Sequence, residues 1–171
     1  VDPDSNNVET NIESFGRLTR YQVNFTDSLS VDPASRTILM GVDWAHGPLE
    51  ASGSHTVGAL RWGTDSSLLV SIGDGADFTV GPDAGGLQPN AFLPGRTDPA
   101  EDIGAYRSQF IKRLDGKVLR LDPANGHGYP SNPFYDGDPA SVRSRVWAYG
   151  FRNPYRFTVR PNSGSTNPAT G

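Results

Sequence analysis

The chain has 171 residues, a formal net charge of −4 from 15 Lys and Arg against 19 Asp and Glu, and 35% hydrophobic residues. That balance suits one soluble globular domain and excludes a nucleic-acid surface, since there is no basic run. Zero Cys excludes disulfides, thiolate metal sites and cysteine nucleophiles, and no apolar run approaches the ~18 residues of a membrane span.

Twenty Gly and 14 Pro point to many short strands joined by turns, an all-β chain. Residues 1–14 read as a polar lead-in. Residues 17–23 alternate with period two, residues 36–42 form a second, more apolar strand, and Asp32-Pro33 marks a turn between them. Residues 44–53 are a loop holding His46. Two short apolar runs, 58–63 and 67–72, flank the polar connection Thr64-Asp65-Ser66 and predict a hairpin. His55 stands just before the first run and Asp74 just after the second, so antiparallel pairing brings imidazole and carboxylate to one rim.

Asp74 and Asp77, in the run Gly73-Asp74-Gly75-Ala76-Asp77, alternate with glycine as a flexible calcium cage does, although an Asx-turn has the same pattern. Residues 79–102 are the longest irregular stretch, and residues 103–114 predict a weak helical turn or two. Glu101, Asp102 and Arg107 read as a charged surface around that turn. A clear strand follows at 117–121, a loop at 122–139, and then a strand at 145–149, a turn at 150–154 and a returning strand at 155–159. Trp147, Tyr149, Tyr155 and Phe157 read as inter-sheet core rather than a sugar platform. His46 and His127 lack ligand-like spacing and read as solvated. Residues 163–171 form a flexible tail.

Repeated strand pairs with variable loops suit a propeller or a sandwich. At ~40–45 residues per blade the chain holds three to four blades at most, too few to close a ring. Open edges then predict dimerisation and no turnover in the isolated segment. A sandwich would instead separate His55 from Arg152.

Several motifs in order resemble one family: His55-x-x-Gly58-x-Leu60; Leu68 to Gly75; Gly116-Lys117-Val118-Leu119-Arg120-Leu121-Asp122; Ser131-Asn132-Pro133-Phe134; and Val146 to Phe157. Together, over residues 15–162, they are similar to the glucose/sorbosone dehydrogenases, the soluble quinoprotein sugar dehydrogenases. The resemblance implies a middle portion of a six-bladed β-propeller, about three blades of it. It also implies pyrroloquinoline quinone (PQQ) on the axis, often with calcium, in a secreted or periplasmic protein. The departures are Ala59 beside Gly58, where the family often has a glycine pair, and the long insertion at 79–102.

The chemistry can be stated from the residues themselves. Oxidising an aldose at its anomeric carbon needs a base, a hydride acceptor and positive charge beside the reduced acceptor. His55 fits the base, with Asp74 fixing its tautomer. Arg152 and Asn153, in a tight turn before Pro154, can present a guanidinium fork and an amide to a planar carboxylate-bearing cofactor. In the resembled family the matching histidine is the base, the aspartate orients it, and the arginine and asparagine contact the quinone. The expected geometry has His55 and Arg152 facing one central funnel from neighbouring sheets. The alternative function is a non-catalytic extracellular propeller module that binds carbohydrate or protein through its upper loops.

Overall fold

Strand alternation decides which side chains this chain can bury. In residues 117–121 it turns Lys117, Leu119 and Leu121 to one face and Val118 and Arg120 to the other. The computed structural model describes residues 14–26, 30–50, 54–76, 96–160 and 163. Its strands are β1 (Ser14–Phe15), β2 (Leu18–Asn24), β3 (Ser30–Met40), β4 (Leu49–Glu50), β5 (Val57–Trp62), β6 (Leu68–Ile72), β7 (Lys117–Leu121) and β8 (Val146–Tyr149).

All pairing among the described residues is antiparallel. Strands β1 and β4 form one ribbon, β2 and β3 a second, and β5-β6-β7-β8 a four-stranded sheet in chain order. The class is all-β, as expected, and the four-stranded meander has the strand count of one propeller blade. Helical structure among the described residues is limited to 3-10 turns at Pro99–Glu101 and Gly104–Gln109 and one α turn, α1 (Val142–Arg145).

The buried face of the sheet packs Val70, Ile72, Leu119, Leu121 and Val146 with Met40 of β3 and Leu114. Fully burying each such side chain contributes about 1.5–3 kcal/mol. Gly58 in β5 is required by a close passage: a Cβ there would lie 2.7 Å from the Pro154 carbonyl oxygen and 2.9 Å from Ser71 Oγ. Ser71 Oγ donates to that same carbonyl at 2.7 Å and accepts from Ala59 N at 2.9 Å, so β5, β6 and the turn after β8 are tied together.

Three sequence expectations change. The Asp32-Pro33 turn falls inside one long strand, where the register jumps between Arg20 and Gln22 and Asp32 Oδ1 caps the Ala34 amide. Residues 155–159 do not form a returning strand. Phe157, Thr158 and Val159 instead cross the second face of the sheet, lining a cleft of about 540 Å³ with Leu69, Val118 and Trp147. Trp147, Tyr149 and Tyr155, expected as core, are exposed. Their apolar bodies have no second sheet against them among the described residues.

Candidate active site

In an antiparallel sheet the starts of β5 and β7 and the ends of β6 and β8 share one rim. That places His55, Asp74, Asp115 and the turn from Gly150 to Asn153 side by side. Backbone hydrogen bonds lace the rim: Gly73 N to Thr56 O at 2.9 Å, Gly75 N to His55 O at 3.0 Å, Gly116 N to Gly73 O at 2.8 Å, and Asp74 N to Arg152 O at 3.1 Å.

Asp74 is the centre of the rim. Its side chain is wholly buried, and Oδ1 receives three donors: Arg152 Nη1 at 2.7 Å, Ala76 N at 3.0 Å and His55 Nδ1 at 3.3 Å. Oδ2 accepts from Arg152 Nη1 at 2.8 Å. The imidazole is 12% exposed and the Arg152 side chain 37%, so a buried carboxylate backs a sheltered imidazole and a partly exposed guanidinium. The structure therefore brings His55, Asp74 and Arg152 together. The expected geometry is corrected in one respect: His55 and Arg152 flank β5 and β8 of one sheet, not neighbouring sheets.

His55 itself has a left-handed backbone, φ 59°, which costs a non-glycine residue about 1–2 kcal/mol. Strain of this kind persists where surrounding contacts impose it. Here Gly73 leaves room for it, because a Cβ at 73 would stand 2.1 Å from the His55 carbonyl oxygen. Gly73→Ala is expected to cost at least about 2 kcal/mol in urea unfolding and to displace His55.

Asn153 is exposed beside Arg152, its carbonyl accepting from Tyr155 N at 2.8 Å. Asp77 lies outside the described residues. A cation at Asp74 would have to compete with Arg152 for both oxygens, and the described residues contain no group of three or more His, Asp or Glu able to hold a metal. His46 is exposed with Nδ1 2.5 Å from Asp43 Oδ1.

Beneath the rim lies a set of buried charges, among them Arg107, whose charge predicts a surface position. Arg107, Arg113, Asp115 and Lys117 are all buried. Lys117 Nζ donates to the carbonyls of Asp115 (2.5 Å), Ser108 (2.9 Å) and Arg107 (3.2 Å). Asp115 Oδ1 accepts from Leu49 N at 2.7 Å, while Arg113 Nη2 and Nη1 donate to Gly47 O (3.1 Å) and Ala45 O (3.3 Å), clamping the loop ahead of His55. The signal for Lys117 was the alternation of β7 itself, which turns it inward with Leu119 and Leu121.

Burial raises the Asp115 carboxyl above its usual range, and it pushes the Lys117 ammonium down from 10.5 to about 8, with the Asp115 charge opposing. Between those two values the unfolded chain holds the lysine proton and the folded chain does not, so this group makes stability rise from about pH 8 to about pH 10.5. Lys117→Met is expected to remove that rise, read from urea midpoints at about pH 8 and about pH 10.

The fold and rim define a class: an antiparallel β protein whose sheet end carries a carboxylate-held imidazole beside a guanidinium. A family model for glucose/sorbosone dehydrogenase matches residues 37–166, three-quarters of the 171-residue chain, and the chain belongs to that family. Among solved structures it is similar to the PQQ-bound form of aldose sugar dehydrogenase from Streptomyces coelicolor, at 21% identity and a TM-score of 0.47. That similarity covers 80% of this chain and 29% of the other, so the chain spans under a third of that protein's length.

Proposed function

We propose that this chain supplies the base and one cofactor-facing edge of a PQQ-dependent sugar dehydrogenase that oxidises an aldose at its anomeric carbon. The observation that carries the reading is the meeting of His55, Asp74 and Arg152 on one carboxylate oxygen. With Nδ1–H directed at Asp74, the neutral imidazole keeps its lone pair on Nε2. Nε2 takes the proton of the anomeric hydroxyl, and the Asp74 carboxylate stabilises the imidazolium that results. The low exposure of His55 shelters that proton from bulk water.

The residues present fit one edge of a planar, carboxylate-bearing cofactor. Arg152 is over one-third exposed, and Asp74 anchors its Nη1. It would hold a cofactor carboxylate, with the Asn153 amide alongside. When bound, PQQ supplies the hydride acceptor. A secreted or periplasmic setting goes with this reading. No helix among the described residues is long and apolar enough to cross a membrane.

The test uses the full-length protein, purified without cofactor and assayed by dye reduction with aldoses before and after adding PQQ. The expected result is turnover only after PQQ. Bound PQQ by calorimetry with no turnover on any aldose would overturn the reading in favour of a non-catalytic binding module.

A further inference from the structure

Arg107 is the most voluminous fully buried side chain among the described residues, on the 3-10 turn Gly104–Gln109. Placing a guanidinium away from water is costly, and packing alone would be served as well by an apolar residue of similar size. What a guanidinium adds is directed donors. Nε donates to the main-chain carbonyl of Asp74 at 3.2 Å, and Nη1 donates to the carbonyl of Glu101 at 3.3 Å. The turn carrying it is itself held from below, where Lys117 Nζ bonds the Arg107 and Ser108 carbonyls.

Asp74 has three polar groups to fix, and two are satisfied within the rim. Its N–H donates to Arg152 O and its carboxylate receives Arg152, Ala76 and His55. Its carbonyl points the other way, to Arg107. The rim's backbone bonds hold Gly73 and Gly75 on either side, and the Arg107 bond adds a hold on the carbonyl between them; without it the Asp74–Gly75 peptide can tilt, and the carboxylate with it. We infer that Arg107 is a positioning residue: it fixes the Asp74 main chain from the buried side, so that one carboxylate holds imidazole and guanidinium in register. Its effect on turnover rests on the sugar-dehydrogenase reading, whereas its hold on Asp74 does not.

The experiment compares full-length wild type with Arg107→Lys and Arg107→Met, each loaded with PQQ, by hydrogen–deuterium exchange and steady-state kinetics. Lysine keeps the charge but lacks the fixed planar fork through which Nε and Nη1 meet the two carbonyls. In Arg107→Lys, exchange in peptides covering residues 73–76 is expected to quicken about tenfold, while peptides covering 117–121 stay as in wild type. Turnover is expected to fall about tenfold with KM unchanged. Arg107→Met, where it folds, is expected to shift both readouts further; where it does not, the lysine variant decides. Unchanged exchange at 73–76, or an equal rise across all four strands, overturns the inference. A local rise with wild-type kcat overturns the positioning role. Absent turnover in wild type with the local rise in the variant sinks the sugar-dehydrogenase reading and leaves the hold on Asp74 standing.

Discussion

Replacing His55 with Asn in the full-length protein is expected to lower kcat by about 10²–10⁴, the span that a positioned general base supplies. Asparagine is the cleaner variant than alanine for a backbone reason. Position 55 has φ 59°, and Asn tolerates the left-handed region better than Ala does. The amide has no lone pair able to take a proton at neutral pH, yet it can still direct a donor at Asp74 Oδ1 where Nδ1 sits at 3.3 Å. The rim should therefore survive and only proton transfer be lost. Calorimetry should show PQQ affinity close to wild type, because Arg152 keeps its place on Asp74. Added imidazole should restore part of the rate by standing where the ring stood. A variant that keeps more than about a tenth of wild-type turnover removes His55 from the base role.

The parts of this fold that follow the two-residue period were legible in the sequence. The hairpin, the 117–121 strand and the strand ahead of Gly150 match β5, β6, β7 and β8 to within a residue. The juxtaposition of His55 with Asp74 followed from the same pattern, because antiparallel order alone puts the start of β5 beside the end of β6. Features set by contacts distant in sequence were not legible. Arg107 reads as surface because charge usually means solvent, and its burial depends on the Asp74 carbonyl 33 residues away. Residues 155–159 have strand-forming composition, but Ser71 captures the Pro154 carbonyl and turns the chain over the sheet face rather than along its edge. Gly58 and Gly73 could be recognised as motif glycines. Their cause, the Pro154 passage over one and the His55 carbonyl against the other, needs three dimensions.

Asp74→Asn separates the electrostatic from the steric part of the rim, and the separation follows from where its donors point. Ala76 N, His55 Nδ1 and Arg152 Nη1 all converge on Oδ1. In the variant the amide oxygen must occupy that position, which turns the NH₂ group toward Arg152 Nη1, 2.8 Å from the present Oδ2. Two donors then face each other, one of them cationic, and Arg152 is expected to swing into solvent. Arg152 is already over one-third exposed, so water recovers much of the loss, and stability should fall by only about 1–2 kcal/mol. Function should fall further. On the proposed reading the imidazole loses the negative charge that stabilises its protonated form and the cofactor loses the Arg152 guanidinium, so kcat/KM is expected to drop at least about 10²-fold. PQQ affinity should weaken together with kcat, unlike in His55→Asn, where only turnover changes. A melting curve near wild type combined with weak PQQ binding would identify Asp74 as the residue that holds base and cofactor cation together. Wild-type PQQ affinity in Asp74→Asn would show that Arg152 does not face the cofactor.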